Sequence, residues 1–245
     1  MNYYMNIGII GSGGREHSLC YKLKQSSKID KIYCFPGNAG TSEISEHINI
    51  NINDFKKIYK EVKNKDIKLL VVGPEIPLVN GIVDYFEKKN INVFGPSKKA
   101  SRLEGSKLFM KKFCKNFKIP TAKYEEITKT NQAEKIINKF KFPVVVKSDG
   151  LAAGKGVTIC KNKKEALRDI LEILNGKFKT SKKVIVEEFL QGEEVSYFVI
   201  SDGKHYLPIG TAQDHKRIGE NDTGLNTGGM GAYSPSKIIS KNIAK

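Results

Sequence analysis

The first half of the chain alternates short apolar runs with amphipathic stretches, and this pattern predicts strands that alternate with helices. Strands are expected at residues 6–10, 31–35, 69–72 and 92–94. Helices are expected at residues 18–24, 54–65, 77–90 and 104–117. Because strands joined through helices are normally parallel, we predict an open, Rossmann-like parallel α/β sheet, with a domain boundary near Pro120.

The second half has shorter apolar runs and more glycine, which predicts a second, βαβ-like unit followed by a long loop. Strands are expected at residues 124–127, 144–147, 157–160, 183–187, 194–201 and 205–211. Helices are expected at residues 130–140 and 163–174. Residues 213–235 are expected to form one glycine-rich loop, and a loop of that length inside a domain is more often functional than decorative. His215 in this loop is interpreted as a supporting polar group.

The segment FPVVVKSDGLAAGKG, residues 142–156, joins a buried strand to a glycine-rich loop. The strand ends on Lys147, and the later Gly-Lys-Gly at 154–156 leaves backbone N–H groups open to an anion. Two lysines beside a flexible loop suit a triphosphate. The spacing is not that of a P-loop, because Gly156 stands where Ser or Thr would hold magnesium. An ordinary glycine-rich hairpin is the alternative.

A second glycine-rich turn, GSGGREH at residues 11–17, follows the first strand and opens a helix. Such a turn is a ready anion site, because unpaired N–H groups and the helix dipole face it. It departs from the dinucleotide fingerprint, since Glu16 replaces the third glycine and strand 31–35 ends without a ribose-binding acid. The pattern favours a phosphate on a small substrate, with Arg15 as a clamp. The loop at 36–40 and Glu75 are expected at the same edge of the sheet.

The net charge of +16 invites a nucleic-acid interpretation, but only four of the 42 basic residues are arginine. Arginine guanidinium groups are the side chains that most often bind phosphate and guanine. The sequence also has no basic block with interleaved aromatic residues, so nucleic-acid binding is not predicted. The four cysteines show neither zinc-site nor disulfide-framework spacing. No signal peptide or membrane span is predicted, and we expect a cytoplasmic protein.

Eight motifs occur in an order that resembles glycinamide ribonucleotide synthetase, also called phosphoribosylamine–glycine ligase, of the ATP-grasp superfamily. They are GSGGREH, PGNAG, GPE, EGSK, VVVKSDGLAAGKGV, VEEFLQGEEVS, QDHKR and TGGMGAYSP. The resemblance implies an N-terminal Rossmann-like substrate-binding domain at residues 1–120. It also implies a small lid subdomain of the ATP-grasp fold at 121–190 and the start of a large subdomain at 191–245.

The resemblance implies that ATP phosphorylates the carboxylate of glycine and that the amine of 5-phosphoribosylamine attacks the glycyl phosphate. The products would be glycinamide ribonucleotide, ADP and phosphate, in purine biosynthesis. The residues with implied catalytic roles are Lys147, Lys155, Asp214 and Arg217. The residues implied to bind ATP are Lys107, Lys147, Ala153, Gly154, Lys155, Gly156, Glu187, Leu190 and Glu194. The residues implied to bind phosphoribosylamine and glycine are Gly13, Gly14, Arg15, Asn38, Glu75, Pro77, Asp214, Lys216, Arg217, Gly228, Gly229, Met230 and Gly231.

Among the ATP-binding residues, Lys107 and Lys147 are expected on the phosphates, and residues 153–156 are expected to fold over them. Glu187 and Leu190 would frame the adenine, and Glu194 would hold the ribose hydroxyls.

Two departures from the family pattern bear on these expectations. Leu225 stands where the family's loop usually has proline, which removes no functional group. Family members also continue beyond residue 245, and a later Glu-x-Asn pair holds their Mg²⁺ or Mn²⁺ ions. Residues 201–245 contain no such pair, so we expect no metal ligands within this chain, a missing C-terminal portion and an exposed apolar face.

Other functions stay open at this point. One is another purine-pathway ATP-grasp ligase, which the QDHKR and TGGMGAYSP motifs weigh against. Another is a non-catalytic module that binds ATP or substrate without a metal site, including a partner of a separately encoded remainder. A Rossmann oxidoreductase is disfavoured by Glu16.

Overall fold

The computed structural model describes residues 4–151, 156–178, 182–240 and 242–243. The chain divides into two compact units, Met1–Pro120 and Thr121–Lys245, here called the N-terminal and the C-terminal unit. The finer division near residue 190 stays a prediction. None of the helices in the described ranges is long and apolar enough to span a membrane.

The N-terminal unit is built on a five-stranded parallel sheet with the order β3-β2-β1-β4-β5. The strands are β1 Met5–Gly11, β2 Ile29–Pro36, β3 Glu46–His47, β4 Ile67–Val72 and β5 Asn92–Phe94. The helices are α1 Gly14–Lys24, α2 Phe55–Asn64, α3 Glu75–Asn80, α4 Ile82–Glu87, α5 Arg102–Gly105 and α6 Lys107–Asn116. The parallel α/β sheet is confirmed. Strand β3 was not predicted, because two residues are too few to show a periodic pattern.

Both faces of this sheet are buried, as parallel sheets require. On β1, Ile10 packs into one apolar cluster, while Ile7 and Ile9 pack into the cluster on the other side. The single helix predicted at residues 77–90 is wrong: Gly81 has φ +92°, a left-handed conformation, and separates α3 from α4.

The C-terminal unit begins with a four-stranded antiparallel sheet of order β6-β9-β7-β8. Its strands are β6 Tyr124–Ile127, β7 Val144–Ser148, β8 Val157–Cys160 and β9 Val184–Glu188. The helices are α7 Ala133–Ile137 and α8 Lys163–Leu174. Strands β6 and β7 run in the same direction, but β9 lies between them, so the βαβ unit is a split one. Val144, Val146, Val184 and Val186 form its apolar core together with Ile170 of α8.

The remaining residues form two small antiparallel sheets. The first has the order β10-β11-β14 and the second pairs β12 with β13. The strands are β10 Ser196–Ser201, β11 Tyr206–Asp214, β12 Arg217–Gly219, β13 Thr223–Asn226 and β14 Ala232–Tyr233. The single long loop predicted at residues 213–235 is therefore wrong, because β14 folds back to pair with the end of β11.

Large apolar side chains on β10 and β11 are exposed. Ile200 is 45% exposed, Tyr206 73% and Leu207 66%. The expected exposed apolar surface is thus present on this hairpin.

Candidate functional site

The glycine turn after β1 lines a cavity of about 390 Å³ in the N-terminal unit. The predicted residues Gly13, Gly14, Arg15 and Glu75 all line it. They meet because β1 and β4 are neighbours and their carboxyl ends lie at the same edge of the sheet. Pro77, also predicted here, is instead buried within α3.

Glu16 is buried at this turn and was missed as a site residue. Its side chain accepts a hydrogen bond from the backbone N–H of Gly13, with 2.6 Å between N and Oε2. A Cβ placed on Gly73 would lie 1.9 Å from its Oε1, and one on Gly11 would lie 2.7 Å from its Cδ. The carboxylate therefore fills the space between the ends of β1 and β4 that these two glycines leave open. Its hydrogen bond also engages the Gly13 N–H, which would otherwise be free to donate to a bound phosphate.

Arg15 and Glu75 form a second link across the same edge. The Arg15 Nη1 donates to the carbonyl oxygen of Gly73 at 2.8 Å and to Glu75 Oε1 at 3.1 Å. The pair is largely exposed, and such an ion pair contributes little to stability. Both residues line the cavity, and the Arg15 side chain remains 64% exposed while paired.

Asn38 ties the loop at residues 36–40 to the glycine turn. Its Nδ2 donates to the carbonyl oxygens of Ser12 at 2.9 Å and Gly13 at 3.1 Å. Its Oδ1 accepts from the backbone N–H of Thr41 at 3.0 Å. In this structure the Asn38 amide thus holds the turn in place.

In the C-terminal unit, Lys147 and Glu187 form an ion pair on neighbouring strands. The Lys147 Nζ lies 2.8 Å from Glu187 Oε2, and their side chains are 24% and 4% exposed. Lys147 lies opposite Ile185 and Glu187 lies opposite Val145, so the two share the sheet face that α8 does not cover. The lysine predicted to contact phosphate and the glutamate predicted to frame adenine are thus direct neighbours.

A cavity of about 380 Å³ lies beside this sheet, within the C-terminal unit. The predicted residues that line it are Leu190, Glu194, Asp214, Lys216 and Arg217. The cavity is also lined by Ile159, Phe189, Gln213 and His215, which were not predicted as binding residues. Phe189 and Gln213 lie directly beside predicted residues in the sequence, and that proximity was the available signal.

Lys216 stands between two carboxylates of this cavity. It donates a hydrogen bond to Glu194, and its Nζ lies 3.8 Å from Asp214 Oδ2. Burial alone would lower the pKa of Lys216, but the hydrogen bond to Glu194 and the charges of Glu194 and Asp214 outweigh it, so the pKa is raised. Lys216 is therefore a fixed positive charge at neutral pH.

The glycine-rich segment is held against the same residues by backbone hydrogen bonds. The His215 N–H donates to the carbonyl of Gly231 at 2.9 Å, and the Met230 N–H donates to the carbonyl of His215 at 2.7 Å. The His215 ring stacks on Tyr233 with 6.1 Å between centroids. Arg217 donates to the carbonyl of Gly224 at 2.7 Å. His215 thus supports the segment in this structure.

Other predicted residues are not among those that line the two cavities in the described part of the chain. Ala153, Gly154 and Lys155 lie outside the described residues. The Gly156 carbonyl accepts from the N–H of Ser148 at 2.8 Å, which fixes one end of the predicted loop. Lys107 is the first residue of α6 in the N-terminal unit, directly after the N-cap Ser106.

No three His, Cys, Asp or Glu side chains come together as potential metal ligands within residues 4–151, 156–178, 182–240 and 242–243.

A parallel α/β unit followed by split antiparallel sheets defines the class, and the chain is an ATP-grasp protein. Residues 105–245 match the family model described as the ATP-grasp (A) domain of phosphoribosylglycinamide synthetase, and residues 5–104 match its N domain. The chain belongs to the phosphoribosylglycinamide synthetase family.

The chain is 49% identical over 243 residues to the phosphoribosylamine–glycine ligase of Haemophilus influenzae, covering 98% of this chain and 57% of that protein. It is 48% identical to the ligase of Brucella melitensis, covering 98% of this chain and 56% of that protein. The crystal structure of phosphoribosylamine–glycine ligase from Thermotoga maritima is similar, with a TM-score of 0.79 and 32% identity. That match covers 96% of this chain and 56% of the other. The chain thus spans little more than half the length of these relatives.

Proposed function

We propose that this chain provides the ATP- and substrate-recognition part of a ligase that joins glycine to 5-phosphoribosylamine, consuming ATP. The relatives at 48–49% identity are named for this reaction. The main support from the structure is the cavity in the C-terminal unit, where five residues implied by the resemblance come from two separated segments of the chain, 190–194 and 214–217. Its volume of about 380 Å³ falls within the range typical of small-molecule sites.

In this proposal Lys147 contacts the phosphates of ATP. Glu187 holds the Lys147 ammonium at the end of β7, so its charge is positioned before ATP arrives. Leu190 is 63% exposed and offers an apolar surface to the adenine. Glu194 accepts hydrogen bonds from the ribose hydroxyls.

Glycine is assigned to the cavity residues Asp214, Lys216 and Arg217 together with the segment 228–231. Cationic side chains would hold its carboxylate, and Asp214 would hold its ammonium group. Phosphoryl transfer depends more on positive groups that neutralise the charge of the transferred phosphoryl group than on covalent catalysis by the protein. The raised pKa of Lys216 keeps one of these charges in place at neutral pH.

5-Phosphoribosylamine is assigned to the cavity at the turn of residues 11–16 in the N-terminal unit. Glu75 can accept hydrogen bonds from ribose hydroxyls or an amine, and Arg15 can bind the phosphate. Asn38 holds the turn that forms the cavity floor.

The ATP-grasp class implies a divalent metal ion with ATP, and we propose Mg²⁺ or Mn²⁺. The described residues do not fit such an ion, since no set of three candidate ligands occurs among them. No step is therefore assigned to a metal within this part of the chain.

The experiment is ADP release by the purified chain in the presence of Mg²⁺, glycine and freshly made phosphoribosylamine, with each component omitted in turn. Turnover that requires both substrates supports the ligase function. Without turnover, calorimetric binding of ATP that is weakened by Lys147→Met but not by Lys164→Met supports the recognition role alone. Lys164 is the matched control because it is an exposed lysine on α8. Absence of both turnover and binding would overturn the proposal.

A further inference from the structure

Two cysteines meet inside the N-terminal unit, away from the cavity. Cys20 lies on α1 and Cys34 on β2, and their Sγ atoms are 3.3 Å apart. Both side chains are completely buried, and both are free thiols. They lie 14 positions apart in the sequence, so their contact depends on the packing of α1 against β2 and could not be seen from spacing alone.

Hydrogen bonds connect the Cys34 sulfur to the loop at the candidate site. The Ser45 hydroxyl lies within donating distance of two acceptors, Cys34 Sγ at 3.2 Å and the carbonyl oxygen of Thr41 at 2.6 Å. The Thr41 Oγ1 lies 2.8 Å from the backbone N of Asn38, from which it accepts. Asn38 in turn holds the glycine turn through its side-chain amide.

The two sulfurs also differ in their readiness to ionise. The hydrogen bond from Cys20 is the largest effect on Cys34 and, with those from Ser45 and Thr41, outweighs burial and lowers the pKa of Cys34 to about 7. The same contact, together with burial, raises the pKa of Cys20. Cys34 is therefore the better nucleophile of the pair, because the thiolate is the reactive form.

We propose that Cys20 and Cys34 are a redox-sensitive pair that forms a reversible disulfide with hydrogen peroxide and thereby alters the substrate cavity of the N-terminal unit. The Cys34 thiolate attacks one peroxide oxygen, and the O–O bond breaks. This step forms a sulfenic acid on Cys34, and the leaving hydroxide is protonated to give one water. The Cys20 sulfur then attacks the Cys34 sulfur, and the S–O bond breaks with loss of a second water. Two thiols are oxidised to one disulfide, and one peroxide is reduced to two waters.

Disulfide formation pulls together two side chains whose elements, α1 and β2, border the site. An S–S bond is about 2.05 Å long, so the sulfurs must approach each other by about 1.2 Å from 3.3 Å. Helix α1 starts at the glycine turn, and β2 leads directly into the loop that contains Asn38. The Ser45 hydrogen bond to Cys34 is then made to a disulfide sulfur, a weaker acceptor than a thiolate.

The test treats the reduced chain with hydrogen peroxide, unfolds it, alkylates the remaining thiols with N-ethylmaleimide and measures intact and peptide masses. We expect two of the four thiols to become unreactive, a peptide in which Cys20 and Cys34 are linked, and full reversal by dithiothreitol. Cys34→Ala should form no disulfide, whereas Cys160→Ala, which removes another buried thiol, should behave as the wild type. Four reactive thiols after a treatment that oxidises free cysteine in the same tube, or oxidation that falls equally on Cys114 and Cys160, would overturn the proposal.

The effect on the cavity is measured with ribose 5-phosphate as the probe, and this part rests on the proposed function. We expect the oxidised chain to bind ribose 5-phosphate about tenfold more weakly, because the side chains of a binding site must stay within about 0.5 Å of their productive positions. Reduction with dithiothreitol should restore binding. Unchanged binding by a fully disulfide-linked chain would overturn the link to the site. If the reduced chain does not bind ribose 5-phosphate, the substrate assignment fails, while the mass result still decides the disulfide.

Discussion

Replacing Lys147 by methionine separates the structural contribution of its charge from its proposed contact with ATP. Methionine keeps most of the apolar stem but removes the ammonium group that lies 2.8 Å from Glu187 Oε2. The Glu187 side chain is only 4% exposed, so the substitution removes a positive charge from beside a buried carboxylate.

The expected cost follows from this burial. Removing one partner of a buried ion pair costs about 3–5 kcal/mol. Water reaches about a quarter of the Lys147 side chain, so the lower end applies, about 3 kcal/mol. At about 2–4 °C per kcal/mol for a chain of this size, we expect Tm to fall by about 6–12 °C.

The double variant Lys147→Met with Glu187→Gln tests that explanation. A neutral amide removes the buried negative charge that Lys147 offsets, so most of the lost stability should return. The ATP contact should not return, because the double variant still lacks the ammonium group. The lost charge-assisted hydrogen bond is worth about 1.5–3 kcal/mol, so ATP should bind about 10- to 150-fold more weakly than to the wild type.

The assay is thermal unfolding followed by circular dichroism, with ATP affinity by calorimetry on the same preparations. Lys164→Met controls for the loss of one lysine and should change neither quantity. If the double variant is no more stable than Lys147→Met, the buried charge of Glu187 is not the cause of the instability. If Lys147→Met binds ATP as the wild type does, Lys147 is not a phosphate contact.

Three further substitutions address other parts of the structure. Asn38→Ala removes three hydrogen bonds, so the free energy of unfolding should fall by about 2 kcal/mol in urea, and ribose 5-phosphate should bind more weakly. Glu16→Gly frees the Gly13 N–H and removes a buried negative charge, so pyrophosphate should raise the Tm of this variant more than that of the wild type. Asn162→Ala removes the N-cap of α8 and should cost about 1 kcal/mol without changing ATP affinity.

Each of these has a clear contrary result. Unchanged ribose 5-phosphate affinity in a folded Asn38→Ala chain would separate that residue from the site. Equal pyrophosphate stabilisation of the wild type and Glu16→Gly would show that the carboxylate does not block the turn. A loss of ATP affinity in Asn162→Ala would mean that α8 affects the nucleotide site.

The N-terminal sheet was predictable because each of its longer strands is a short apolar run bounded by turn residues, and periodicity alone identifies such runs. The break at Gly81 also had a visible signal, a glycine inside a helical pattern. The pairing of residues 213–214 with residues 232–233 had no visible signal in the sequence. It depends on backbone hydrogen bonds between distant segments whose composition indicates turns.

The candidate site was predictable in its residue types but not in its pairings. Lys147 and Glu187 could be named from motifs, yet their ion pair depends on β9 lying next to β7, which the linear order does not reveal. Glu16 was noted as a departure from a glycine pattern. Its burial between Gly11 and Gly73 follows only once β1 and β4 are known to be neighbours.

Photolabelling with 8-azido-ATP followed by peptide mapping tests whether ATP binds in the C-terminal unit. We expect labelling of the segment 189–194, which borders the cavity with Leu190 and Glu194, and loss of that label when excess ATP is present. Labelling confined to the glycine turn at residues 11–16, or labelling that ATP does not compete, would contradict it.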